Sequence, residues 1–114
     1  MPVDGTLDYL ELPARDVAAM KKFYAAAFGW NFVDYGPDYV EFDAHGRKGG
    51  FNAERKPAAS GGALTVLYAN DLDAMETKVA GAGGDITEHH SFPGGRRFHF
   101  RDPSGNEIAV WSDK

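Results

Sequence analysis

The hydrophobic pattern of the first half of the chain predicts one strand, one helix and three further strands. Apolar and polar residues alternate over 7–12, which is typical of a half-buried strand. Over 16–28 the apolar residues recur with the spacing of one helix face, with Asp16 as the N-cap and Gly29 as the stop. Short strands separated by glycine-containing turns follow at about 32–34, 39–43 and 50–54.

The second half repeats this order. Asp71 can cap a helix over 71–82, and the segments 14–29 and 69–84 are identical at seven of sixteen positions at a shift of 55 residues. Asp16 and Asp71 fall in register at the two helix starts. Strands are predicted at 64–69, 85–89, 96–101 and 107–112, with a tight turn at 102–106 before the last one.

The chain therefore reads as βαβββ twice. One such unit leaves its sheet half-covered, and two units can close one core. We expect an α+β fold in a single domain over 1–114, in which two tandem βαβββ modules form a cupped mixed sheet. Module one would span about 5–57 and module two about 62–114.

Composition excludes several classes of function. The 114 residues include no cysteine, which argues against a disulfide scaffold, a thiolate metal site and a cysteine nucleophile. Twelve basic and 17 acidic residues give a formal charge of −5, which does not favour nucleic-acid binding. No apolar run has the ~20 residues of a membrane span. We expect a cytoplasmic protein that binds neither nucleic acid nor membrane.

Three segments carry a resemblance to the vicinal oxygen chelate superfamily of glyoxalases, bleomycin-resistance proteins and extradiol dioxygenases. They are Tyr-Leu-Glu-Leu-Pro-Ala-Arg-Asp at 9–16, the aromatic residues of 22–30, and the closing strand at 98–108 with its Asp-Pro-Ser-Gly-Asn turn. The resemblance implies the glyoxalase/bleomycin resistance/dioxygenase fold, with a cavity formed by the sheets of both modules. It also implies a homodimer, in which two chains pair around their cups.

In that superfamily a metal, when present, takes four ligands from the first and last strands of each module. The resemblance carries these positions onto Tyr9, Leu64, Ala109 and a fourth residue that is either Gly50 or Glu54. Leucine and alanine have no donor atom, and a phenol must lose its proton to bind a metal ion strongly. We therefore expect no metal cofactor there, with Glu54 as a weak candidate ligand.

Strand alternation adds candidates that do not depend on the metal positions. Tyr9 and Glu11 share one face, Arg97, His99 and Arg101 share another, and Glu107, Ala109 and Trp111 share a third. A cavity-facing histidine can exchange protons near neutral pH, so His99 and Glu11 are the catalytic candidates. The expected ligand-binding residues are Tyr9, Glu11, Leu64, His99, Ala109 and Trp111. Glu11, His99 and Glu107 could also form a displaced metal site. His89 and His90 are interpreted as solvated residues of an edge strand, because neighbours on a strand point to opposite faces.

The function expected from these residues and this resemblance is small-molecule binding of the glyoxalase/bleomycin-resistance type, without the usual metal site of the superfamily. The alternative is a glyoxalase-like lyase or another enzyme of that superfamily, either metal-independent or with a rearranged metal site. A third hypothesis is an interaction module whose cup is filled by its own side chains.

Overall fold

A computed structural model describes residues 3–58 and 61–114, in which the two modules follow one another in the predicted order. Module one contains β1 (Leu10–Pro13), α1 (Val17–Phe28), β2 (Asn31–Asp34), β3 (Tyr39–Ala44) and β4 (Arg47–Asn52). Module two contains β5 (Thr65–Tyr68), α2 (Leu72–Gly81), β6 (Asp85–Phe92), β7 (Gly95–Arg101) and β8 (Glu107–Ser112).

Each module forms a four-stranded mixed sheet of the same topology. The strand orders are β1-β4-β3-β2 and β5-β8-β7-β6. The pairs β1–β4 and β5–β8 are parallel, whereas the remaining neighbours are antiparallel. The α+β class and the two tandem βαβββ modules are therefore confirmed. Among the described residues no strand pair joins the two sheets, so the modules form two mixed sheets where the sequence analysis expected one.

Several strand boundaries differ from the prediction because pairing partners, rather than composition, set the ends. The fourth strand is β4 at Arg47–Asn52 instead of 50–54, since β1 and β3 both stop pairing with it at Asn52. The first strand begins at Leu10 instead of residue 7, and β6 continues to Phe92 because it forms a hairpin with β7.

The helices begin at the predicted caps. Asp16 accepts a hydrogen bond from the backbone N–H of Ala19 at 3.1 Å, and Asp71 accepts one from that of Ala74 at 3.0 Å. Gly29 closes α1 in the left-handed conformation, at φ 71°. No helix in the described part of the chain is long and apolar enough to cross a membrane.

The helices cover one face of each sheet and enclose an aromatic core. Tyr24 of α1 stacks on Trp30 with ring centroids 4.6 Å apart, and Trp30 stacks on Phe42 of β3 at 4.5 Å. Phe23 of α1 contacts Phe100 of β7 at 5.7 Å, so the core is continuous between the modules. This packing leaves the opposite face of each sheet uncovered by any helix of the described chain.

A polar junction fixes module two against the start of α1. The buried Asp102 carboxylate accepts hydrogen bonds from the Tyr24 hydroxyl, the Asn106 amide group and the backbone N–H groups of Ser104 and Asn106. Asn106 also donates to the carbonyl of Pro13 at 2.9 Å. Burial raises the pKa of Asp102, although these hydrogen bonds act in the opposite direction. The Asp-Pro turn therefore holds the two modules together.

Candidate functional site

The helix-free faces of the two sheets carry most of the predicted site residues. Open face one comprises Tyr9, Glu11, Tyr39, Gly50 and Asn52. Open face two comprises Leu64, Val66, Tyr68, Glu88, His90, Arg97, His99, Arg101, Glu107, Ala109 and Trp111. The strand registers set the paired residues of each group on one side of its sheet, and the buried residues of the core lie on the other. Tyr9 and Leu64 lie just before the first strand of each module.

Open face one is organised by a chain of hydrogen bonds. The Tyr39 hydroxyl donates to Oε2 of Glu11 at 3.0 Å, and the Asn52 amide donates to Oε1 of the same carboxylate at 3.1 Å. Since Tyr39 has used its only proton, Tyr9 donates to the Tyr39 oxygen at 2.8 Å. Burial and these two contacts raise the pKa of Tyr39. Glu11 is thus an anchored acceptor, and both of its oxygens are already bonded.

The registers show which residue of β4 corresponds to Ala109 on β8. Glu11 lies opposite Gly50 on β4, just as Val66 lies opposite Ala109 on β8. Glu11 and Val66 are themselves related by the 55-residue repeat. Gly50 is therefore the counterpart of Ala109, whereas Glu54 is exposed in the turn after β4, with its backbone N–H bonded to Asn52.

The superfamily's metal positions do not fit a metal ion in this chain. The donor set at Tyr9, Gly50, Leu64 and Ala109 contains a single oxygen, that of a phenol, and divalent ions require several imidazole or carboxylate ligands. A side chain on Gly50 would also collide with the Tyr39 phenol, and its Cβ would lie 2.8 Å from the Tyr9 hydroxyl. The space of a fourth ligand is therefore filled by tyrosine.

On open face two, His99 forms the centre of a second polar cluster. The residue is 5% exposed, and Nδ1 lies 2.8 Å from Oε2 of Glu107 and 4.0 Å from Oε2 of Glu88. An ionised carboxylate can only accept, so Nδ1 carries the proton and donates to Glu107. The other ring nitrogen, Nε2, is buried and has no hydrogen-bond partner among residues 3–58 and 61–114. In its neutral form the imidazole is held in the Nδ1–H tautomer, which leaves the lone pair of Nε2 facing no donor of the described chain.

The same three residues form a candidate metal cluster. One ligand atom from each of Glu88, His99 and Glu107 lies within 4.8 Å of the other two. Metal-binding histidines, however, normally donate their second ring N–H to an acceptor. Coordination through Nδ1 would place that proton on Nε2 of His99, which has no acceptor. The arrangement therefore suits hydrogen bonding or proton transfer at Nε2 better than metal binding.

Two basic side chains adjoin this cluster. His90 lies opposite Arg97 in the register of β6 and β7, and its ring packs edge-on against His99 with centroids 5.2 Å apart. A hydrogen bond of 2.9 Å joins His90 to Glu88 and lowers the pKa of that exposed carboxyl. Arg97 has a buried Nε–H group for which the described part of the chain offers no acceptor. Two alternate residues of β7, on the same face of the sheet, therefore each have one polar atom that is unpaired among the described residues.

An aromatic platform borders the basic residues. Trp111 lies opposite Arg97 in the register of β7 and β8. The Tyr68 ring meets Trp111 edge to face at 5.4 Å, and its hydroxyl donates to Asp113 at 2.6 Å, a contact that raises the pKa of Tyr68. Leu64, just before the neighbouring strand β5, is partly exposed. Such a half-buried indole offers a surface on which a planar ligand can stack.

The structure separates some predicted partners and joins others. Glu11 belongs to open face one, bonded to Tyr39 and Asn52, so it does not take part in the cluster of His99 and Glu107. Glu88 takes that place. His89 lies on the helix side of β6 and pairs with Glu76 of α2 at 2.9 Å, whereas His90 lies on the open face, packed against His99. The interpretation of both as simple edge residues therefore misses the contact of His90.

A strand irregularity explains why regular strand alternation does not place Glu88 beside His99. Ile86 pairs with Phe100, and Glu88 pairs with His99, so Thr87 is left as an extra residue in β6. A regular strand would place Ile86 and Glu88 on the same side, against the helix. The bulge turns Glu88 to the open face instead. Neither Thr87 nor its neighbours carry a sequence signal for this shift.

Comparison with known proteins gives a family match over most of the chain. The model of the Glyoxalase/Bleomycin resistance protein/Dioxygenase superfamily matches residues 6–110. The anthracycline biosynthesis protein DauV of a Streptomyces species is 33% identical over 94% of this chain and 46% of its own length. CFP32 of Mycobacterium tuberculosis, whose name includes the word glyoxylase, is 30% identical over 94% of this chain and 45% of its own. The chain thus spans about half the length of these curated relatives.

Solved structures share the fold. A glyoxalase/bleomycin resistance protein/dioxygenase family enzyme from Burkholderia phytofirmans superimposes with a TM-score of 0.82, at 18% identity, covering 96% of this chain and all of that one. At these identities the likeness concerns the fold alone.

Proposed function

Because the chain belongs to the Glyoxalase/Bleomycin resistance protein/Dioxygenase superfamily, we propose that it binds a small organic molecule on its open faces without a metal ion. The observation that carries the proposal is the contrast between the metal positions and the side chains that surround them. The superfamily's metal positions offer no adequate donor set, yet polar and aromatic side chains around them form ordered networks. Ligand sites typically combine such an apolar platform with a few fixed polar groups.

We also propose a homodimer, because each open face belongs to a separate four-stranded sheet and no strand pair of the described residues joins the two sheets. The edge strands β1 and β5 each leave one side unpaired among the described residues. Exposed apolar side chains, including Leu10, Leu64 and Val66, lie along these edges. Unpaired edges with apolar side chains favour association. Pairing module one of one chain with module two of another would bring the two kinds of open face together.

The setting of the proposal is the cytoplasm, with neither nucleic acid nor membrane as a partner. A cysteine-free chain gains no disulfide stabilisation from an oxidising compartment. The net charge of −5 gives no general attraction to phosphate backbones.

A ligand screen in the presence of EDTA tests the binding proposal. We expect small aromatic and polar molecules to include binders that raise the melting temperature of the protein. Trp111→Ala should remove this effect because it deletes the stacking surface, whereas Tyr35→Ala, a change at an exposed tyrosine before β3, should preserve it. Stabilisation that requires added metal, or that survives Trp111→Ala unchanged, would contradict the proposal.

The second candidate is an enzyme of the superfamily, favoured by the pair formed by His99 and Glu107. A carboxylate that holds one ring nitrogen leaves the other as a base, which is the arrangement used in acid–base catalysis. A rearranged metal site at the cluster with Glu88 is a further form of this alternative. Turnover of a bound compound, abolished by His99→Asn with binding retained, would favour the enzyme. An interaction module would show neither binding nor turnover.

A further inference from the structure

Two neighbouring side chains on β7 each have one buried polar atom that nothing in the described chain satisfies. They are Nε of Arg97, which is always a donor, and Nε2 of His99. Leaving such atoms unpaired destabilises a fold, and unpaired buried atoms are rare enough to require an explanation. Their adjacency on one face of the sheet indicates that a bound molecule completes both.

The tautomer of His99 defines the chemistry of that molecule. In the neutral imidazole, Nδ1–H donates to Glu107, so Nε2 presents a lone pair and needs a donor. Arg97 Nε–H needs an acceptor. A simple anion accepts from Arg97 but has no proton to donate to the His99 lone pair. A cation has no acceptor for the Arg97 N–H group. A ligand that offers both an O–H donor and an anionic oxygen satisfies both atoms.

Spacing and the neighbouring platform set the ligand's size and shape. Alternate residues of a strand lie roughly 6.6 Å apart, so the two unpaired groups fit opposite ends of one small ring. Trp111 lies directly across from Arg97 and offers its indole to a planar group. Resting on the function proposed above, we propose that open face two binds a small planar hydroxy acid, with its hydroxyl donating to His99, its carboxylate accepting from Arg97 and its ring on Trp111.

A movable side chain covers the site in the free protein. The unpaired atoms are not exposed to solvent, and His90 is the residue that both faces Arg97 in register and packs against His99. Its ring is held by an exposed contact to Glu88, and contacts of this kind are weak. The other charged groups around His99 are Arg101 on β7 and Glu107 on β8. Rotation of His90 toward solvent therefore opens the site.

The test uses the ¹⁵N-labelled full chain with 3-hydroxybenzoate, and benzoate as the ligand that lacks only the hydroxyl. Long-range ¹H–¹⁵N spectra of the imidazoles, assigned with His99→Asn, should show Nε2 of His99 unprotonated in the free protein and shifted on binding. We expect benzoate to bind about tenfold more weakly, because a donor to a buried acceptor is missing. His99→Asn should abolish this preference, and Arg97→Lys should weaken both ligands severalfold. Arg55→Lys, in the exposed turn after β4, should change neither.

The outcomes separate this inference from the function it rests on. Three results would each overturn the inference. They are a proton on Nε2 of His99 in the free protein, equal affinity for the two acids, and no detectable binding of 3-hydroxybenzoate at about 10 mM, a concentration that would reveal even weak binding. Binding of other small molecules to the open faces would still support the proposed function in each of these cases. His90→Ala should tighten the binding of 3-hydroxybenzoate, and weaker binding by this variant would refute the covering role of His90. Stoichiometric binding of Zn²⁺ that requires Glu88 and His99 would assign the cluster to a metal instead.

Discussion

The hydrogen bond between Tyr24 and Asp102 ties α1 to the turn of module two, and Tyr24→Phe tests how much it stabilises the fold. The Tyr24 side chain is fully buried, and its hydroxyl donates to Oδ2 of Asp102 at 2.9 Å. Phenylalanine keeps the ring and hence its stacking on Trp30. The substitution therefore removes one polar contact and almost no apolar burial.

The expected cost follows from the charge of the acceptor. Hydrogen bonds to charged groups contribute about 1.5–3 kcal/mol, and Asp102 keeps three of its four donors when Tyr24 loses its hydroxyl. We expect the free energy of unfolding to fall by about 2 kcal/mol. For a chain of this length that corresponds to a melting temperature lower by roughly 8 °C.

Urea denaturation followed by tryptophan fluorescence measures this change, with Tyr35→Phe as the matched control. Tyr35 is exposed and should lose less than about 0.5 kcal/mol. In an Asp102→Ala background the Tyr24→Phe change should cost much less, since the hydroxyl already lacks its acceptor there. A loss below about 0.5 kcal/mol for Tyr24→Phe in the native background, or equal losses in both backgrounds, would refute the proposed link between the modules.

Three further predictions concern glycine packing, pH and metal content. Gly50→Ala should lower the free energy of unfolding by about 1–2 kcal/mol because the flexible Tyr39 phenol can move, whereas Gly49→Ala should lower it by more than about 3 kcal/mol because its Cβ meets the backbone oxygen of Leu10 in β1. Urea titrations measure both losses, and equal losses would contradict the prediction. Burial raises the pKa of Asp102, so the folded carboxyl binds a proton at pH values where the unfolded one is still ionised. As the pH falls from about 7 to 4, the free energy of unfolding of the wild type should therefore rise relative to that of Asp102→Asn, and a relative fall would contradict the prediction. Elemental analysis of protein purified without chelator should find no stoichiometric zinc, nickel, iron or manganese. One equivalent of metal per chain that is lost in Glu54→Gln would contradict the placing of Glu54 outside the superfamily's metal positions.

The elements and their faces could be predicted from the sequence because they depend on local periodicity. The aspartate caps and the alternation around His99 each follow from residues close in the chain. The 55-residue repeat then assigns the same order of elements to the second half. Alternation also predicts that Phe98 and Phe100 lie opposite His99, and both phenylalanines are fully buried in the core.

The site itself depends on register between distant strands, which local patterns do not encode. The choice between Gly50 and Glu54 required the pairing of β1 with β4. The position of Glu88 beside His99 required the bulge at Thr87. The filling of the space above Gly50 depends on the length and direction of the Tyr39 side chain, which lies on a neighbouring strand.

Backbone ¹H–¹⁵N spectra recorded in EDTA, with and without small organic ligands, test the central claim most directly. The account predicts ligands whose binding shifts the amide signals of β7 and β8 on open face two, around Arg97, His99 and Trp111, with no metal ion present. Signals of the exposed α2 surface should stay in place. The account is contradicted if ligands shift these signals only after a divalent metal ion is restored, or if the shifts lie away from both open faces.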